Sequence, residues 1–152
     1  MQNIQNIIIG QGLGDLRFGM SMDEVRDILG DPDEIEKYTD DEEDDNLTET
    51  WHYDEQELSL SFDEMTGWIL VTIAVSSVDY AFEGLKLIGL SYDSVMQKVK
   101  KLELGDMVSE DITDDEGLKQ KLVSFDDVAV SFWFEEDLLS EIIWAPVWDD
   151  EI

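Results

Sequence analysis

The sequence contains no cysteine, two prolines, one histidine and only nine lysines and arginines in 152 residues. Without cysteine, disulfides, thiolate nucleophiles, zinc–thiolate sites and an acylated lipoprotein anchor are all excluded. The first residues carry neither a basic segment nor an apolar run of signal-peptide length, and no stretch approaches the roughly 20 apolar residues of a membrane span. We therefore expect a cytoplasmic protein that does not associate with a membrane.

Positive charge is scarce in this chain. Thirty-nine Asp and Glu face nine Lys and Arg, which gives a formal net charge of −30. Such a surface repels nucleic acid and anionic membranes and attracts basic proteins. Solubility, or adaptation to high salt, is the alternative interpretation. The uneven distribution argues against it, because residues 31–57 hold many carboxylates and one lysine, and no basic residue follows Lys121.

Two short helices are predicted from their start signals. Ser21 and Glu24 have the spacing of a capping box, apolar residues follow at helical spacing, and Gly30 and Pro32 end the segment. A similar helix start recurs at Ser91, seventy residues after Ser21. Residues 33–49, which lie between the first helix and the first clear strand, are predicted to be a polar, acidic loop.

Strands are predicted where apolar residues alternate, chiefly over residues 58–62 and 128–132. These two segments are also separated by seventy residues, and two kinds of pattern recurring at one offset indicate a duplication. The sequence therefore predicts an α+β fold of two tandem repeats, each a short helix followed by antiparallel strands. Residues 1–80 and 81–152 would form the two halves of one compact unit.

The first helix segment resembles the SmpA/OmlA-type repeat, which is shared with the beta-lactamase inhibitory protein fold. The resemblance rests on the run Gly19-Met20-Ser21, followed by Glu24-Val25 and then Leu29-Gly30-Asp31-Pro32. The second copy keeps Gly89-Leu90-Ser91 but lacks the Leu-Gly-x-Pro ending. The resemblance implies a BLIP-like fold whose concave sheet binds a protein partner. In outer-membrane relatives it implies a module of an assembly complex.

Residues that could support catalysis are few. His52 is the only histidine, and no nucleophile or orienting acid can be assigned to it from the sequence. The glycines between Gly10 and Gly14 lack the Lys-Ser/Thr of a phosphate loop, and the acidic run after Thr39 lacks the glycine and spaced ligands of a calcium loop. We therefore expect a protein that is not an enzyme and has no cofactor and no metal site.

The charge, the resemblance and the lack of catalytic chemistry together predict an acidic inhibitor or immunity-type protein. It would neutralise a basic partner such as a toxin or nuclease. The alternative is a non-catalytic assembly or scaffold module, and the oligomeric state stays open. Trp148 has a second interpretation, since it would also serve to seal a sheet. The predicted partner-binding residues are the acidic run, one aromatic on a free sheet face and the C-terminal acidic segment: Asp40, Asp41, Glu42, Glu43, Asp44, Asp45, Trp133, Trp148, Asp149 and Asp150.

Overall fold

A computed structural model describes residues 6–38, 47–113, 117 and 119–146. The described residues form two α-helices, two short 3₁₀ turns and twelve strands in two sheets. The helices are α1 (Met22–Leu29) and α2 (Tyr92–Val99), and the 3₁₀ turns are Glu64–Thr66 and Lys100–Leu102. The strands are β1 (Asn6–Ile8), β2 (Gly12–Leu13), β3 (Leu16–Arg17), β4 (Glu34–Tyr38), β5 (Thr48–Tyr53), β6 (Leu58–Asp63), β7 (Ile69–Val75), β8 (Ala81–Phe82), β9 (Val108–Thr113), β10 (Lys119–Phe125), β11 (Val130–Glu135) and β12 (Leu138–Trp144).

Both helices begin at the serines that the sequence predicted. The Ser21 hydroxyl accepts the Glu24 N–H at 3.2 Å, and the Glu24 carboxylate accepts the Ser21 N–H at 3.0 Å, so the predicted capping box is confirmed. The Ser91 hydroxyl accepts the Ser94 N–H in the same way. Each helix has eight residues, which is too short to be stable alone in water. Packing on the sheet must therefore hold the helices. None of these helices is long and apolar enough to cross a membrane.

The larger sheet has eight strands in the order β4-β5-β6-β7-β12-β11-β10-β9, and every neighbouring pair is antiparallel. Strands β7 and β12 join its two halves, with Ile142 opposite Val75. The smaller sheet has the order β3-β2-β1-β8, and its β1–β8 pair is parallel, with Asn6 opposite Ala81. The small sheet therefore combines strands from both predicted halves of the chain.

One face of the eight-stranded sheet carries the core. Phe62, Phe132 and Trp144 are among its fully buried side chains. The two helices and the small sheet cover this face: Phe82 of β8 packs edge-on to Phe132 at 5.4 Å, and the Trp144 indole N–H donates to the Gly12 carbonyl at 3.1 Å. In the described chain no helix or strand covers the opposite face, which is called the open face below.

The α+β prediction is wrong. The described residues are mainly β, with 48% strand and 17% helix, and the two sheets form a sandwich instead of repeating helix–strand units. The error arose at the sheet edges. Part of the segment predicted as an acidic loop, Glu34–Tyr38, is the edge strand β4, and all five of its side chains are exposed. An edge strand is hydrogen-bonded on one side and need not bury alternate residues, so hydrophobic periodicity does not reveal it.

The predicted spacing of the strands is also corrected. The β5–β6 turn separates Tyr53 from Leu58, and the β10–β11 turn separates Phe125 from Val130, so these hairpins correspond at an offset of 72. Val128 therefore lies in the turn and not in the strand. The helix caps keep the offset of seventy. The Gly19 N–H donates to the Leu70 carbonyl, and the Gly89 N–H donates to the Leu139 carbonyl. The two accepting residues are therefore 69 positions apart. Because 72 differs from 70 by an even number, the predicted inward and outward faces were nevertheless right.

Gly12 provides a test of the close approach of β2 and β3 within the small sheet. Its φ is +153°, and a β-carbon added there would overlap the Leu16 carbonyl of the adjacent strand. We expect Gly12→Ala to lower the free energy of unfolding by about 3 kcal/mol or more, because strain and overlap add. Gly84→Ala is the control, since its φ of +83° is strained but its β-carbon would meet nothing within 4 Å; it should lose about 1–2 kcal/mol. Urea unfolding measures both, and equal losses would contradict the close approach.

Candidate functional site

The open face is lined mainly by small, uncharged side chains. Strand alternation turns Thr50 of β5, Ser59 and Ser61 of β6 and Thr72 of β7 outward, and their buried neighbours turn inward. In the other half Ser124 and Ser131 stand opposite each other, with their hydroxyls 3.3 Å apart. Thr50 lies 3.0 Å from the Ser61 hydroxyl and 3.3 Å from the Tyr38 hydroxyl. These contacts form two separate groups of hydroxyls, one in each half of the face.

An aromatic and apolar patch lies in the β10–β12 half of the open face. Trp133 is half-buried and stands opposite Leu122 on one side and Glu141 on the other. The outward position of Trp133, with Phe132 and Phe134 turned inward, is as the sequence predicted. Ile143 continues the patch and stands opposite Ala74 at the junction of the two halves. Trp133 is therefore the one large aromatic side chain on the open face of the six inner strands in the described chain.

Charge is nearly absent from the centre of this face. On the six inner strands, β5 to β7 and β10 to β12, three outward positions in the described chain carry a carboxylate: Asp63, Glu135 and Glu141. Asp63 lies at a strand end and caps a 3₁₀ turn, and Glu135 lies at the end of β11. Glu141 alone lies within the face, and burial, with a smaller contribution from Glu135, raises the pKa of its carboxyl.

Glu141 borders a hollow of about 260 Å³ in the open face. Within the described residues no lysine or arginine lies within salt-bridge distance of Glu141. The hollow carries only carboxylates as formal charges when His52 is neutral, and it has the size of one long side chain. It is lined by His52, Tyr53, Asp54, Glu57, Leu58, Ser59, Ala74, Ser76 and Glu141. The described residues contain no group of three side chains placed to hold a metal ion.

His52 links two neighbours across the face. Its Nδ1 lies 2.8 Å from the Ser59 hydroxyl, and its Nε2 lies 2.6 Å from the Glu36 carboxylate. A hydroxyl, an imidazole and a carboxylate linked in a row by hydrogen bonds are the groups that serine hydrolases use. Such enzymes also need N–H donors aimed at the developing oxyanion. Ser59 lies on β6, which is paired on both sides by β5 and β7, so the nearby N–H groups point along the sheet and not towards a substrate above it.

The structure accounts for only one of the predicted binding residues. Trp133 lies on the open face, as described. The others, Asp40, Asp41, Glu42, Glu43, Asp44, Asp45, Trp148, Asp149 and Asp150, lie outside the described residues. Sequence reasoning missed Glu141 and the contacts of His52 with Ser59 and Glu36. A signal for Glu141 was present, because it is a single acid inside the otherwise uncharged run from Leu138 to Trp144.

The raised pKa of Glu141 predicts the effect of its neutralisation on stability. A carboxyl whose pKa is higher in the folded state than in the unfolded state destabilises the fold at any pH above both values, and this penalty disappears below the ordinary glutamate range. We expect Glu141→Gln to raise the free energy of unfolding at pH 7, by less than about 1 kcal/mol because the group is partly exposed. The gain should vanish near pH 4.

Glu83→Gln is the matched control for this experiment. Glu83 is an exposed carboxylate in the turn after β8, so its neutralisation relieves only the general repulsion within a chain of charge −30. Urea titrations of both variants and the wild type, at the two pH values, separate the local from the general effect. If Glu141→Gln gained no more than Glu83→Gln at pH 7, burial of the Glu141 carboxylate would be disproved.

No family model, curated protein or solved structure matches this chain. The resemblance to the SmpA/OmlA-type repeat therefore stays a prediction from the motif around Ser21 and Ser91. The uncharged open face, with Trp133 and Glu141 side by side, is the feature from which a function can be argued.

Proposed function

We propose that this protein is a cytoplasmic, non-catalytic inhibitor of the immunity type, and that it binds a basic protein through the open face. One observation carries the proposal. The chain has thirty-nine acidic residues, and of those that the structure describes only Glu141 lies in the centre of the open face. A face that met only water would be a favourable place for charged side chains.

The composition of the open face is that of an interface core. Fully buried parts of protein interfaces are depleted in charged residues and enriched in aromatic ones, and a charged rim surrounds them. Trp133, supported by Leu122 and Ile143, supplies the aromatic anchor. The small Ser and Thr side chains leave room for a partner's backbone or side chains to approach the sheet.

Glu141 is the proposed contact for a lysine or arginine of the partner. A carboxylate that is already partly desolvated loses little further hydration when the partner covers it. A cation placed beside it would bring its pKa back towards the ordinary range, and this change is a gain in binding free energy. Trp133 stands next to Glu141 across the strand pair, so a guanidinium group could contact the ring and the carboxylate together.

The remaining carboxylates serve association in this proposal. A net charge of −30 attracts a basic protein over long distances and raises the rate of encounter. Asp41, Glu42, Glu43 and Asp44, which lie outside the described residues, keep this expected role. Contacts made on the open face would instead determine how long the complex lasts.

The absence of catalysis remains part of the proposal. The Ser59–His52–Glu36 chain holds the imidazole by both ring nitrogens, and we interpret it as a rigid part of the binding surface. In this proposal the carboxylates around the open face suit a partner enzyme that acts on nucleic acid, because carboxylates can stand in for phosphates at its substrate site.

The first experiment identifies the partner by comparing matched baits. Wild-type protein, Trp133→Ala and Glu141→Gln are immobilised in parallel, and the relevant partner is a basic protein that the wild type retains and both variants lose. Glu83→Gln should retain it, since Glu83 lies in the turn after β8, and the small sheet is on the other side of the large sheet from the open face. Circular dichroism confirms that Trp133→Ala is folded.

The second experiment measures rates with the purified partner at two salt concentrations. Trp133→Ala and Glu141→Gln should each weaken binding about tenfold or more, mainly through faster dissociation, because a lost central contact of this kind is worth about 2 kcal/mol. Neutralising Asp41, Glu42, Glu43 and Asp44 together should slow association and flatten its salt dependence. If the partner is an enzyme, its inhibition should follow the same order. Unchanged dissociation in both face variants would refute the open face as the interface.

A further inference from the structure

A second cavity, of about 600 Å³, lies on the opposite side of the large sheet from the open face. It is enclosed by the start of α2, the β9 and β10 strands and the tight turn that joins β11 to β12. Its volume falls within the range of small-molecule sites. It is independent of the proposed protein interface, because the core face and the open face of the sheet are separated by the sheet itself.

The floor of the cavity is aromatic. Phe134 is buried, and the Tyr92 ring meets it edge-on at a centroid distance of 5.2 Å. The Lys121 ammonium lies 4.4 Å from the centre of the Tyr92 ring and 3.5 Å from the Asp111 carboxylate. The floor therefore offers an apolar surface with a fixed positive charge at one side.

The other half of the chain has a different aromatic arrangement at the corresponding place. There the Arg26 guanidinium lies 4.9 Å from the Trp51 ring, which packs on Phe62 at 4.7 Å. By the hairpin offset of 72, Trp51 corresponds to Val123 and Phe62 to Phe134. In the second half Tyr92 of α2 makes the aromatic contact with Phe134 instead.

Charges of both signs face the cavity from different walls. Lys119 and Lys121 come from β10, Asp111 of β9 pairs with Lys121, and Glu136 and Asp137 come from the turn. The turn residues have φ of 50° and 71°, a left-handed conformation that glycine or asparagine usually takes in such turns. Two backbone hydrogen bonds hold the turn in place. The Glu136 N–H donates to the Lys119 carbonyl, and the Tyr92 N–H donates to the Asp137 carbonyl, both at 2.9 Å.

We propose that this cavity binds a small zwitterion with an apolar or aromatic body, of the α-amino acid class. The signs of the charges decide between ligands. A simple anion would be repelled by the turn carboxylates and the net charge of −30, and of the two lysines Lys121 is already paired with Asp111; a simple cation would meet Lys119 and Lys121. The carboxylate of a zwitterion can contact the lysines of β10, and its ammonium group can contact the carboxylates of the turn. Because a zwitterion has no net charge, the negative charge of the protein does not repel it. Its apolar body would pack on Tyr92 and Phe134.

Three probes that share one ring and differ only in charge test this proposal. L-Phenylalanine carries both charges, 3-phenylpropionate lacks the ammonium group, and 2-phenylethylamine lacks the carboxylate. Each is titrated into the full chain and followed by ¹H–¹⁵N NMR. Phenylalanine should shift the resonances of Tyr92, Gln120 and Phe134 and bind about tenfold or more tightly than either analogue, since one charge-assisted contact is worth about 1.5–3 kcal/mol.

Charge variants of the walls should change the preference in opposite directions. Lys119→Met with Lys121→Met should move it at least tenfold towards 2-phenylethylamine, and Glu136→Gln with Asp137→Asn should move it equally towards 3-phenylpropionate. Lys98→Met and Glu83→Gln, two exposed positions away from the cavity, should leave the preference unchanged. The proposal is overturned if no probe shifts the lining residues, if the three probes bind equally, or if the wall variants do not change their order.

Discussion

The structure depends on covering one face of an eight-stranded sheet with a few short helices and strands. Two eight-residue helices and four strands of two or three residues are the elements available, and all of them lie on the same side. The β7–β12 pairing makes this possible, because it merges the two halves into one sheet with one core instead of two cores that would each be marginal. The consequence is a second face that none of the described helices and strands covers, and the described side chains on it are mainly small and uncharged.

Much of the core face could be predicted from the sequence, and the sheet edges could not. Capping signals near Ser21 and Ser91 are local, since they involve three consecutive peptide units, and they located both helices. Apolar alternation gave the correct faces of β6 and β11, because side-chain direction depends only on parity. Strands β4 and β9 were not predicted, because exposed residues dominate both of them. The spacing of 72 residues between the two hairpins was not predicted either, because it depends on turn lengths, which hydrophobic periodicity does not report. These two omissions turned a mainly β sandwich into an α+β prediction.

The candidate site was predicted in part, for a related reason. The direction of Trp133 follows from alternation within one strand, and it was predicted correctly. That Glu141 lies beside Trp133, or that His52 contacts both Ser59 and Glu36, depends on which strands pair and in what register. The sequence distinguishes Glu141 only as a single acid within the run from Leu138 to Trp144, and thirty-eight other carboxylates obscure that signal. Its position among uncharged outward residues of β7, β11 and β12 follows only from the pairing of these strands.

In the proposed function, Glu141 is the residue at which the requirements of stability and of binding diverge. A chain that could place its acids anywhere on the surface holds one where burial raises the pKa of its carboxyl, and this arrangement costs folding free energy. Glutamine would fill the same space, keep a hydrogen-bonding group and avoid that cost. A feature that weakens the free protein and that a simpler residue could replace is best understood through the bound state. A cation contributed by a partner would convert the unfavourable burial into a favourable contact, and the same low-dielectric environment that raises the pKa would strengthen the pair.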